Sequence, residues 1–222
     1  MLFLLYHIKP DTKLSGLQTT ISHPKYKGLL MEQIYKIGKN GVFIRGIGLP
    51  AFIHNGDYYV VLIKIYEDGT IECWRECNFK EFLVEIKNGW VVTQLPKDAK
   101  IDMFQLFYAD TNSLKTFIKE REFIKHVKDI MRELQNRPTS KERCIKAFLN
   151  YLEIPDERHR QILQNRYIAV AKHLRDAILG DMGGGDGAIK EIILGNMTDK
   201  NLISVKKYYS YLREDNNENK SL

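Results

Sequence analysis

Apolar and polar residues alternate through positions 33–93, and three turn pairs punctuate the pattern: Asn40-Gly41, Asn55-Gly56 and Asp68-Gly69. Each pair lies between segments rich in β-branched and aromatic residues, which predicts an antiparallel meander joined by type I′ turns, with φ > 0 at both central residues. The strongest predicted strand covers residues 58–66. Its odd positions are Tyr59, Val61, Ile63 and Ile65; its even positions are Tyr58, Val60, Leu62, Lys64 and Tyr66. Both faces are apolar over much of this length, so a central strand covered on both sides is expected. Pro50 cannot donate a ladder hydrogen bond and belongs at an edge, a bulge or a strand start. The period changes after Asn78, a predicted helix N-cap. Phe79, Phe82, Leu83 and Ile86 follow at helical spacing, and Gly89 closes the helix as its C′ residue. This short helix is expected to cover one sheet face. Residues 90–93 and 101–107 read as further strands, and residues 2–8 as an N-terminal strand.

The second half is helical in period. Leu114, Phe117, Ile118, Ile124, Val127, Met131 and Leu134 form a stripe over residues 112–137, which Pro138 stops. Ser140 is the expected cap of a helix over 141–152, with Cys144, Ile145, Phe148 and Leu152 inward. A third helix is predicted over 156–179, followed by a flexible glycine-rich loop at 180–187. Asp186 is expected to cap a short helix at 188–194, and Thr198 a last one running to about residue 213. The predicted fold is α+β: an N-terminal antiparallel β-meander sheet with a covering helix, then a C-terminal all-helical domain. The expected divisions are 1–30 (strand and extension), 31–110 (β domain), 111–213 (helical domain) and 214–222 (polar, frayed tail).

The composition is that of an ordinary globular protein: 222 residues, 44% hydrophobic and 28% charged, with a net charge of +6. Residues 1–110 hold 13 Lys+Arg and 12 Asp+Glu, leaving 21 and 16 for the rest, so the positive excess belongs mainly to the helical half. That permits an acidic partner without requiring one. Three cysteines make no disulfide framework and suggest a reducing compartment. The apolar run at residues 1–6 is shorter than a secretory core, and no segment approaches the ~20 apolar residues of a membrane span. A cytoplasmic protein with no membrane association is expected.

Candidate chemistry is sparse. Cys73 and Cys77 with His54 lack the paired ligand spacing of structural zinc, so core packing is the preferred reading and no metal is expected. His54, Asn55 and Asp57 cluster at a hairpin; a triad would need a nucleophile such as Cys77 brought close, and a plain turn, made by Asn55 and Gly56 and flanked by His54 and Asp57, is the preferred reading. The loop at 183–187 joins two helices and matches neither a P-loop nor a dinucleotide fingerprint. Asp181, Asp186 and Glu191 lack calcium-loop spacing. No cofactor is expected. The third predicted helix carries Arg158, His159, Arg160, Arg166, Lys172, His173 and Arg175. On one continuous helix His159 and His173 would share a face, giving either an anion-binding surface or a solvated one. Tyr208, Tyr209 and Tyr211 follow Lys206 and Lys207, and are expected to seal the helical core or anchor a protein contact, with base stacking as the alternative.

Two groups of residues resemble a known pattern. Gln33-Ile-Tyr-Lys-Ile-Gly38, Gly48-Leu-Pro-Ala-Phe-Ile-His-Asn-Gly-Asp57 and Asp68-Gly-Thr-Ile-Glu-Cys-Trp74 resemble the β domain of an uncharacterised bacterial two-domain family. His173-Leu-Arg-Asp176, Leu179-Gly-Asp-Met182 and Asp186-Gly187 resemble its helical companion. The resemblance implies a two-domain bacterial protein and carries over no catalytic residue. Three functions follow as expectations. The first is a cytoplasmic bacterial interaction protein of the immunity or accessory type, whose partner is another protein, rather than an enzyme. The second is a hydrolase or transferase with His54, Asp57, Arg160 and His173 in a groove between the domains. The third is a nucleic-acid-binding protein using the basic helical half. The binding residues expected are Arg158, Arg166, Arg175, Tyr208 and Tyr209.

Overall fold

The computed structural model describes residues 32–102, 108–110, 118–180 and 185–210. The predicted strand at 2–8, the ends of the predicted elements at 103–107 and 112–117, part of the glycine-rich loop and the C-terminal tail lie outside the described residues.

Five strands form the meander in chain order: β1 (Glu32–Ile37), β2 (Phe43–Asn55), β3 (Asp57–Tyr66), β4 (Ile71–Glu72) and β5 (Glu76–Cys77). Three short strands extend the sheet among the described residues. β6 (Val91–Val92) pairs with β2, β7 (Lys100–Asp102) runs parallel to β3, and β8 (Tyr108–Asp110) pairs with β7. The register sets Leu49 opposite Ile63 and Ile53 opposite Tyr59, so the odd-numbered residues of both long strands share one face. That face carries the core. Leu49, Ala51, Ile53, Ile63, Ile65, Ile71 and Val91 pack against Phe82 and Ile86 of α1 (Phe79–Lys87) and Phe123, Val127, Ile130 and Leu134 of α2 (Glu120–Leu134).

Among the described residues the two faces of β3 are covered unequally. On its even-numbered face Tyr58, Val60 and Lys64 are half-buried and Leu62 is exposed, while Tyr66 alone is buried. Both described helices that contribute to the sheet core lie against the odd-numbered face.

The hairpins are built, but not as type I′ turns. Trp74, Asp98 and Asn136 are the non-glycine residues with positive φ among those described, so Asn40, Asn55 and Asp68 are excluded from that conformation. At the first hairpin Gly41 donates its N–H to the Gly38 carbonyl (2.9 Å) and Gly38 donates to that of Val42 (2.8 Å). The third repeats the pattern: Gly69 donates to Tyr66 (3.0 Å) and Tyr66 to Thr70 (2.9 Å). This is the three-residue loop in which a turn is closed by a single left-handed glycine, so Asn40 and Asp68 need no strained φ. The second hairpin is tighter still, with Asn55 paired to Asp57 across Gly56 alone.

Helix ends follow capping chemistry. Asn78 accepts from the Lys80 and Glu81 N–H groups while Glu81 reaches back to the Asn78 N–H, a complete capping box. In α3 (Ser140–Glu153) the cap falls one residue before the expected Ser140: Thr139 and Glu142 form the box, and Ser140 bonds Asp129 of α2. The predicted third helix breaks. α4 (Glu157–Ala169) ends where Val170 and Ala171 turn extended (ψ 136 and 133), and a separate 3-10 turn spans Lys172–Ala177. Both break residues are fully buried. The carbonyls freed there are taken by other elements: Lys125 and Arg175 donate to Ile168 (2.9 and 3.1 Å), and Arg175 donates to Val170 (3.1 Å). Asp186 precedes α5 (Gly187–Leu194) but does not cap it; its carboxylate accepts from the Tyr167 hydroxyl and Lys190 instead. Thr198 caps α6 (Asp199–Tyr208) as expected.

A second core joins α3, α4, α5 and Tyr209 through Phe148, Leu152, Leu163, Val170, Ile178, Ile189 and Ile192. The apolar stripe of α2 packs into the sheet core, and the second core begins with α3.

Candidate functional site

The most developed surface feature lies where the β4–β5 connection meets the end of α1. Tyr59 of β3, Trp74 of the connection and Trp90 after α1 form a continuous aromatic cluster. The Tyr59 and Trp74 ring centroids are 5.1 Å apart, and Trp74 meets Trp90 edge-on at 5.9 Å. Trp90 is fixed from both ends: its indole N–H donates to the Cys73 carbonyl (3.1 Å), and its own carbonyl accepts the His54 N–H (2.9 Å). The Arg75 guanidinium lies 4.7 Å from the Trp90 ring centre and donates to Glu85 of α1 at 2.6 Å.

Trp74 stands out within this cluster. Its φ is 67°, a left-handed conformation that is an outlier for a bulky residue, yet half of the residue (51%) faces solvent. A three-residue connection from Glu72 to Glu76 forces the shape, with Cys73 donating its N–H to the Arg75 carbonyl (3.0 Å). The resulting surface is an apolar stacking face edged by one cation.

Beneath it, the Cys73 and Cys77 sulfurs are 3.9 Å apart and both residues are buried. Burial, then the neighbouring Cys73, pushes the Cys77 thiol up to about 12, and burial raises Cys73 also. Neither is an activated nucleophile. His54 stacks on Tyr58 (4.4 Å between centroids, 9° between planes), beside Asp57 at the β2–β3 turn. Among the described residues no group of three or more His, Cys, Asp or Glu is arranged to hold a metal ion.

The other predicted residues have separate surroundings. Arg160 forms a double hydrogen bond to Glu157 (2.7 Å each) and donates to the Ile193 carbonyl of α5 (2.6 Å). Arg175 is occupied by the two carbonyls at the helix break and lies over the Tyr167 ring (4.7 Å). Arg158 and Arg166 remain exposed. His159 belongs to the α4 cap with Asp156, and the break at Val170 removes the common helix face it would have shared with His173. Tyr209 is buried against Phe148, whereas Tyr208 is half-exposed.

His173 finds an unpredicted partner. It packs against His126 of α2, with Nε2 of His173 3.1 Å from Nδ1 of His126. Around this pair Glu122 accepts the Lys172 N–H (2.5 Å) and the Lys125 ammonium (3.0 Å), so the two units are joined by polar contacts from one face of α2. Sequence reasoning passed over His126 because it sits among the apolar positions of α2. It also passed over the tryptophans, although the chain has two and both fall within residues 74–90.

No curated protein and no solved structure matches the chain. Residues 33–138 match the family model described as Domain of unknown function (DUF7638), and residues 139–220 that of Domain of unknown function (DUF7639). The two matches adjoin where one core gives way to the other and together span residues 33–220, consistent with an uncharacterised two-domain family.

Proposed function

We propose that the chain is a protein-interaction module of the immunity or accessory type, which engages a partner protein through the Tyr59–Trp74–Trp90 surface. The observation that carries this reading is Trp74 itself. Holding a tryptophan in a left-handed conformation costs about 1–3 kcal/mol, and keeping it half-exposed forgoes much of the gain from burial. A partner that covers the ring supplies that gain. Tryptophan, tyrosine and arginine are also the residues that dominate interface energetics. The same reading places the protein in the bacterial cytoplasm, in keeping with its sparse reduced cysteines and its resemblance to a bacterial family. Two cations of the alternative nucleic-acid face, Arg160 and Arg175, are already bonded to backbone carbonyls, which favours the protein reading.

Tagged full-length protein, purified from its own cells at low salt, is expected to bring down one protein at stoichiometric yield. Trp74→Ser should lose that protein while Arg158→Ser/Arg166→Ser retains it. Capture that is indifferent to Trp74, or that yields nucleic acid released steeply by salt, would sink the proposal.

A further inference from the structure

The two domains meet at a pair of imidazoles, His126 buried and His173 half-buried. His126 of α2 is 1% exposed, and its ring lies 5.1 Å from that of His173 in the 3-10 turn. One ring nitrogen of each faces the other; the remaining two, Nε2 of His126 and Nδ1 of His173, are buried without a hydrogen-bond partner. A neutral pair carries two ring hydrogens, one in the 3.1 Å gap and one on an outer nitrogen. A third proton would add a positive charge and a second buried N–H where no acceptor waits for it.

The charged neighbours offer little relief. On α2, Glu122 is engaged by the Lys172 N–H and by Lys125, and Asp129, one turn further, is bound to Ser140. Lys125 points its ammonium to the Ile168 carbonyl. On the facing turn, Arg175 is held by the carbonyls of Ile168 and Val170. The surroundings therefore contribute two further cations, Lys125 and Arg175, and two carboxylates, Glu122 and Asp129, that are already engaged.

We propose that the His126–His173 pair is a proton-operated latch: neutral, it holds the helical domain against α2, and protonation releases that domain while the sheet stays folded. The direction of the effect follows from the closed form. Burial and then the proximity of His173 lower His126 from 6.5 to about 4, and burial lowers His173 against a weaker opposing pull from Glu122. A histidine depressed in the closed state favours closure fully above its free value and loses that contribution as pH falls. The window is therefore about pH 6.5 down to 4. Within it, each proton taken up shifts the closed-to-open ratio by about tenfold per pH unit.

Amide hydrogen exchange on the full chain, corrected for intrinsic rates, tests this between pH 7.5 and 4. Protection at residues 172–177 is expected to fall with a midpoint inside the window, while β2 and β3 stay protected. The imidazole NMR signals of both histidines should titrate with the same midpoint, a readout that needs no variant. His126→Leu/His173→Met should flatten the transition, and Asp129→Asn should leave its midpoint in place. Unchanged protection to pH 4, imidazoles that titrate without opening, the same transition in the double variant, or a midpoint that moves with Asp129→Asn would each overturn the latch.

Discussion

Gly46 lies directly beneath the ring of Tyr66. A Cβ at position 46 would stand 2.6 Å from the Tyr66 Cδ1 and 2.8 Å from the Ile65 carbonyl oxygen. The two residues are register partners on the face of the sheet that no described helix covers, and the ring itself is 2% exposed. Lys36 lies over the ring (4.5 Å) and Glu72 accepts its hydroxyl hydrogen (3.3 Å), so the ring is held from both sides. Gly46→Ala is expected to destabilise the fold by about 1–3 kcal/mol through overpacking. Urea unfolding measures this, and an unchanged midpoint would mean that the ring and the backbone both have room to move.

Trp74 separates stability from binding. Trp74→Gly relieves the left-handed backbone and removes the contacts with Tyr59 and Trp90. These terms oppose each other at about 1–3 kcal/mol each, so chemical denaturation should place the variant within ~1 kcal/mol of wild type. Partner capture should nevertheless be lost. A large loss of stability would instead assign Trp74 to the fold.

The three thiols should be inert in the native protein. Cys73, Cys77 and Cys144 are buried at 1%, 7% and 0% exposure. Burial pushes the Cys77 and Cys144 thiols up to about 12. Titration with a thiol-specific chromogen at pH 8 is expected to detect almost no thiol before unfolding and all three in denaturant. Rapid reaction of one thiol in the native state would contradict the packing around it.

Asp186 ties α4 to α5 through Tyr167 and Lys190. Burial raises its carboxyl, but the hydrogen bonds from Lys190 and Tyr167 outweigh that and hold it below the ordinary carboxylate value. Its contribution to stability is therefore present above the free value and is lost as pH falls through the lower, folded one. Asp186→Asn is expected to cost about 1–3 kcal/mol at pH 7. The difference from wild type should shrink below about pH 4, as protonation removes the wild-type charge as well. A difference that is constant down to pH 2.5 would show that the charge contributes nothing.

Much of the architecture was legible from local pattern. The β-branched and aromatic runs located β3 and both ends of β2, although β2 runs unbroken through Pro50 and the two apolar faces of β3 did not say which one points inward; Asn78 announced α1 through the chemistry of its end. These features depend on neighbours in the chain, and a sequence records such neighbours directly. The turn type was less legible, because Asn-Gly and Asp-Gly pairs serve the three-residue loop with one left-handed glycine as well as type I′.

Tertiary structure decided the rest. The stripe on α2 says that one face is apolar but not which core receives it, and packing gave that face to the sheet. The helical period runs unbroken from 156 to 179, yet the chain opens at Val170 because Lys125 and Arg175 satisfy the carbonyls that the break releases. Asp186 is a capping residue by position, but Tyr167 and Lys190 bind its carboxylate more directly. His126 meets His173 across 47 residues. By itself, the sequence determined an antiparallel meander followed by helices and the caps that begin several of them, since those are local balances of backbone geometry and hydrogen bonding. The domain division, the imidazole pair and the Trp74 surface depend on which distant groups share a low-dielectric space, and folding alone brings those together.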